Sequence, residues 1–185
     1  MDTQIITGSI GAVVQQTGKS IAESFINANC IILVDTSSSM GQNDARGGTR
    51  YEVACEELKT LQSILSGKLA ILSFSDDVIF CPNGIPYNYN GMTDLARALK
   101  FAKMGDLSSG MRFIVISDGE PNDEDEALRI AKTYKNRIDT IFVGPEGSSG
   151  EDFLKKLARA SGGQTVTADR VKELAANVQK LLLTG

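Results

Sequence analysis

Asp35, Ser37 and Ser39 stand at alternate positions directly after the apolar run Ile31-Ile32-Leu33-Val34. A tight loop with that spacing aims one carboxylate and two hydroxyl oxygens at a single spot. All are hard oxygen donors, a set that suits Mg²⁺, Mn²⁺ or Ca²⁺ and not a soft or imidazole-seeking metal. Acid and serine after a strand also build turns and cap helices, so this stretch alone supports both readings. A second acid, Asp118, repeats the arrangement in Ser117-Asp118-Gly119-Glu120-Pro121, immediately after the apolar residues 113–116.

Both acids need strands to carry them. The run before Asp35 is short, apolar and mostly β-branched, the pattern of a strand buried on both faces. Further apolar runs at residues 69–74, 78–81, 113–116, 138–143 and 164–167 predict the other strands. Residues 75–77 are short enough to join two of these in a hairpin. Helices are expected between the strands. One carries Tyr51, Cys55, Leu58, Leu61 and Leu65, and one is opened by Thr93 and buries Leu95, Leu99 and Ala102. Another buries Ala127, Ile130, Ala131 and Tyr134, a fourth carries Phe153, Leu157 and Ala160, and a closing helix carries Val171, Leu174, Val178, Leu181 and Leu182. The acidic residues 123–126 are assigned to the favourable field of a helix N-terminus.

This alternation predicts an α/β, Rossmann-like, doubly wound sheet of six strands, mainly parallel with one antiparallel edge, and helices on both faces. In such sheets ligands bind beyond the carboxyl ends of the strands, where the winding reverses. Asp35 and Asp118 are both expected there, Asp35 at an exposed strand end. Residues 29–185 are assigned to this domain, and residues 1–28 to a segment of helical spacing (Ile10, Val13, Val14, Ile21, Phe25) whose role is left open. Thr17-Gly18-Lys19-Ser20 imitates a phosphate loop, but Val13 stands where that motif needs glycine and no strand precedes it.

Composition narrows the function. With 185 residues, 42% hydrophobic content and a net charge of −4, the chain suits one globular domain and disfavours nucleic acid as a partner. Histidine is absent, which excludes a Ser-His-Asp triad and a His-bearing zinc site. Cys30, Cys55 and Cys81 are scattered through apolar segments and are expected as free thiols. With no basic leader and no apolar run of membrane-spanning length, a soluble, cytoplasmic protein is expected.

Taken together, Asp35-Thr36-Ser37-Ser38-Ser39-Met40, Gly91-Met92-Thr93 and Ser117-Asp118-Gly119-Glu120-Pro121 resemble the three parts of a metal-ion-dependent adhesion site. The resemblance is to von Willebrand factor type A (vWA) domains and runs from about residue 29 to the end, with Leu72-Ser73-Phe74-Ser75-Asp76 as a supporting match. It implies the vWA fold and a divalent cation, Mg²⁺ or else Mn²⁺ or Ca²⁺, bound by Asp35, Ser37, Ser39, Thr93 and Asp118. Thr93 would act directly or through water, and Asp118 largely through water. The implied function is non-catalytic: a protein partner offers a Glu or Asp side chain to the ion. Without signal peptide or disulfides the chain resembles intracellular members, which implies an AAA-type ATPase or a multi-protein complex as partner. Loops 41–50, 82–92 and 120–122 would surround the ion, with Tyr87 and Tyr89 offered to the partner; the alternative is a turn with both tyrosines folded back. The rival function is a Mg²⁺-dependent phosphohydrolase of the haloacid-dehalogenase type. It needs a second Asp as general acid two positions after the first, where Ser37 stands.

Overall fold

A computed structural model of the chain describes residues 4–44, 47–87, 90–107 and 109–167. Its centre is strand β1 (Cys30–Asp35), buried along its whole length. β1 lies between β2 (Leu69–Phe74) and β4 (Arg112–Ser117), parallel to both, with Ile32 opposite Ile71 on one side and Ile114 on the other. Beyond β4 come β5 (Ile138–Phe142) and β6 (Thr165–Thr167), both parallel. On the opposite edge, β3 (Val78–Phe80) runs antiparallel to β2. The order β3-β2-β1-β4-β5-β6 therefore reverses its winding between β1 and β4, the place where an open α/β sheet forms a crevice.

Alternation along the strands divides the core. Ile31, Leu33, Ala70, Leu72, Phe113 and Val115 face one layer, together with apolar side chains of α4 (Leu95–Ala102), α5 (Glu124–Ala131) and α6 (Ser149–Ala160). Cys30, Ile32, Val34, Ile71, Ile114 and Ile116 face the other, against Val53, Leu58 and Leu61 of α3 (Arg50–Ile64). Helices thus cover both faces, and the six-stranded mixed sheet with its single antiparallel edge strand is as the sequence predicts.

The helix boundaries follow from capping. Thr49 and Glu52 form a reciprocal capping box at the start of α3. Asp94, not Thr93, caps α4 by accepting a 2.9 Å hydrogen bond from the Arg97 N–H, so the helix opens one residue later than the sequence suggests and Thr93 is released to the preceding loop. The acidic turn of α5 behaves as a helix terminus: Asp123 accepts from the Glu126 N–H at 2.9 Å, and Glu126 pairs with Lys100 and Arg129. The expected closing helix, from Val171 to Leu182, lies outside the described residues.

Upstream of β1 two helices form, α1 (Ile10–Thr17) and α2 (Ile21–Ile26). They are fastened near the β3 edge by Gly11 N–H to Pro82 carbonyl (2.7 Å) and by an edge-on contact of Phe25 with Phe80, ring centres 5.1 Å apart. The imitation phosphate loop resolves into two caps: Gly18 closes α1 with φ +70°, and Ser20 opens α2 with Glu23 as its capping-box partner. No helix among the described residues is long and apolar enough to cross a membrane.

Candidate metal centre

Three loops meet at the carboxyl ends of β1 and β4, and hydrogen bonds stitch them together. The loop after β1 is joined to the loop before α4 by the Ser38 N–H and hydroxyl, which donate to the Gly91 carbonyl at 3.0 and 3.2 Å. The loop before α4 is joined to the loop after β4 by a reciprocal pair: Thr93 N–H to Asn122 Oδ1 and Asn122 N–H to the Thr93 carbonyl, each 2.9 Å. The loop after β4 is held in turn by α6. Gly119 has φ +76°, and a Cβ there would stand 2.1 Å from the Gly150 carbonyl oxygen. Only glycine allows that approach.

Within this frame Asp35 is fully buried, not exposed as its place at a strand end suggests. Its Oδ1 accepts from the Ser37 N–H at 2.9 Å and its Oδ2 from the Ser117 hydroxyl at 2.6 Å. Burial pushes its carboxyl up to about 6; the bonds from Ser117 and Ser37 pull it down, and the nearby charge of Asp118 adds to the rise. The Ser37 and Ser39 hydroxyls lie 3.1 Å apart. Thr93 and Asp118 are also buried, at 5% and 3% exposure. The Asp118 Oδ2 pairs with the Arg50 guanidinium at 2.8 Å, and among the described residues its Oδ1 receives only a long 3.4 Å contact from the Glu120 N–H. Asp35, Ser37 and Ser39 are thus brought together directly. Thr93 and Asp118 lie on the adjoining loops, tied in through Asn122 and Arg50.

The donor set fits a hard cation in type but is thin in charge. Carboxylate and hydroxyl oxygens converge beside a buried acid that carries an unfavourable burial cost, which a cation would offset. Among the described residues no three His, Cys, Asp or Glu side chains cluster in a metal-holding group. The ion's remaining positions would fall to hydroxyls and water, as suits Mg²⁺.

Three supporting residues have no role assigned from the sequence. Ser117 orients Asp35, Asn122 locks Thr93, and Arg50 holds Asp118. Met92, which the sequence offers only as part of Gly91-Met92-Thr93, is 63% exposed beside Thr93, a large apolar side chain at the rim. Tyr87 is exposed, while Tyr89 lies outside the described residues.

Neither a known protein-family model nor a curated protein matches this sequence. Solved structures do match its shape. An aerotolerance-related membrane protein of Bacteroides fragilis aligns with a TM-score of 0.69 at 17% identity, covering 85% of this chain and 100% of its own. The manganese-loaded TRAP protein of Plasmodium vivax gives 0.59 at 18% identity, with 84% of this chain and 74% of that one covered. A von Willebrand factor type A protein from Catenulispora acidiphila gives 0.57 at 16% identity, with 83% and 42% covered. At such identities the likeness establishes the architecture: this chain has a vWA-like α/β fold.

Proposed function

We propose that this vWA-like domain is a protein-interaction module, not an enzyme, whose contact with its partner runs through a divalent cation. The observation that carries the reading is the buried Asp35 carboxylate at the end of β1, bonded to Ser117 at the end of β4, with the Ser37 and Ser39 hydroxyls 3.1 Å apart on the same loop. Asp35, Ser37 and Ser39 would hold the ion, with Thr93 and Asp118 completing the set directly or through water. Mg²⁺ is our first assignment, with Mn²⁺ or Ca²⁺ as alternatives; the TRAP neighbour in its manganese-loaded form supports an ion at this fold. When bound, the ion supplies a coordination position that accepts a Glu or Asp side chain of the partner. Met92, Tyr87 and Tyr89 would provide apolar and aromatic contact around it.

The phosphohydrolase reading gains no support. Position 37 carries a hydroxyl bonded to Ser39, and a serine does not serve as the required acid near neutral pH. Three free thiols, Cys30, Cys55 and Cys81, favour a reducing compartment, and we place the protein in the cytoplasm, acting with an AAA-type ATPase or a larger assembly. The test is retention of a glutamate-bearing peptide library on immobilised protein in Mg²⁺, then in excess EDTA. Retention lost on chelation supports the reading; retention indifferent to chelator and to Asp35→Asn opposes it.

A further inference from the structure

Arg50 is in an unfavourable place for a cation. It is the first residue of α3, where the helix dipole already presents positive charge, and it is only 7% exposed. A buried guanidinium needs partners for its N–H groups. Here Nη1 donates to Asp118 Oδ2 at 2.8 Å and lies 3.4 Å from the Ser39 carbonyl oxygen, while Nε is buried and has no hydrogen-bond partner among the described residues. Helix α3 therefore carries a fixed positive charge into the crevice, against one of the acids assigned to the metal.

We propose that Arg50 is a resident counter-cation that weakens divalent-ion binding and sharpens the loaded site's demand for an acidic ligand. The proposal rests on the metal reading given above. Asp35 and Asp118 against Arg50 leave the site one net negative charge. A bound divalent ion then leaves one net positive charge, where without Arg50 the site would be neutral. The excess is available to a partner's carboxylate. Because Arg50 takes Oδ2, Asp118 has Oδ1 left to serve the ion, and among the described residues that oxygen holds only the long contact from Glu120. Arg50 is in this sense a positioning residue as well as a charge.

The test uses the full chain and Mn²⁺ alone, titrated by calorimetry into wild type, Arg50→Gln and Arg50→Lys. Removing one charge this near a divalent ion should tighten Mn²⁺ binding by about tenfold or more in Arg50→Gln. Arg50→Lys, which keeps the charge, should stay within about threefold of wild type. The rise in Tm on saturation with Mn²⁺ should be larger for Arg50→Gln than for wild type. Should Arg50→Gln fail to fold, Asp118→Asn and the double variant Arg50→Gln/Asp118→Asn give the same comparison, the double variant binding about tenfold more tightly. Equal or weaker binding on loss of Arg50, with wild type binding Mn²⁺, overturns the proposal and leaves the metal site standing. Absence of binding by wild type overturns both.

Discussion

The Ser117 hydroxyl donates a 2.6 Å hydrogen bond to Oδ2 of Asp35, linking the ends of two adjacent strands across 82 residues of sequence. The same Ser117 oxygen accepts from the Gly119 N–H at 2.9 Å, so one side chain fixes both the Asp35 carboxylate and the turn that presents Asp118. Ser117→Ala should weaken Mn²⁺ binding about tenfold to a hundredfold, the range seen when a ligand's supporting hydrogen bond is lost. Titration showing wild-type affinity would deny Ser117 that role.

The raised Asp35 carboxyl makes a prediction about pH for the cation-free protein. Its value moves from 3.8 to about 6 through burial, so the folded state holds this proton more tightly than the unfolded chain. The resulting stabilisation is complete below about pH 4 and is lost as pH rises through about 6. In EDTA, the contribution of Asp35 should therefore lower Tm between pH 4 and 6, and Asp35→Asn should flatten that slope. Melting curves at half-unit pH steps, wild type against variant, measure the difference. Identical slopes would show that Asp35 is not the group responsible.

Gly119→Ala should destabilise the protein by on the order of 2 kcal/mol or more, because it combines a left-handed backbone with a blocked approach. Its φ is +76°, and the new Cβ would stand 2.1 Å from the Gly150 carbonyl oxygen. Urea unfolding with an unchanged midpoint would show that the α6 contact does not constrain this loop.

The strands and their acids were legible because burial writes itself as unbroken apolar runs: all six residues of β1 are buried, and Asp35 and Asp118 stand out at the ends of β1 and β4. The edge hairpin was legible from the three residues between its strands. The supporting contacts were not. Arg50 and Asp118 are 68 residues apart, and the sequence leaves Arg50 at the end of loop 41–50, whereas it is the first residue of α3. A threonine before an apolar run is a sound N-cap, so the sequence points to Thr93 as the opening of α4; the structure gives that task to Asp94, while both Thr93 backbone groups are engaged by Asn122. Such long-range pairings leave no local signature in composition or spacing.

The thiols should differ in reach. Cys30 and Cys81 are buried, Cys55 is half-buried, and burial pushes the Cys30 and Cys55 thiols up from their ordinary range. A thiol reagent on native protein should label Cys55 first, and all three should react in denaturant. Peptide mapping that finds Cys30 labelled before Cys55 would contradict the placement of β1 at the centre of the sheet.

The most direct test of the central claim is calorimetric titration of Mn²⁺ and Mg²⁺ into wild type and Asp35→Asn side by side, with circular dichroism confirming that both are folded. Asparagine keeps the shape of the side chain and removes its charge. One saturable site is expected in the wild type, and no detectable binding in Asp35→Asn. Equal affinity in the two proteins, or no binding in either, would contradict the assignment of a cation to this crevice.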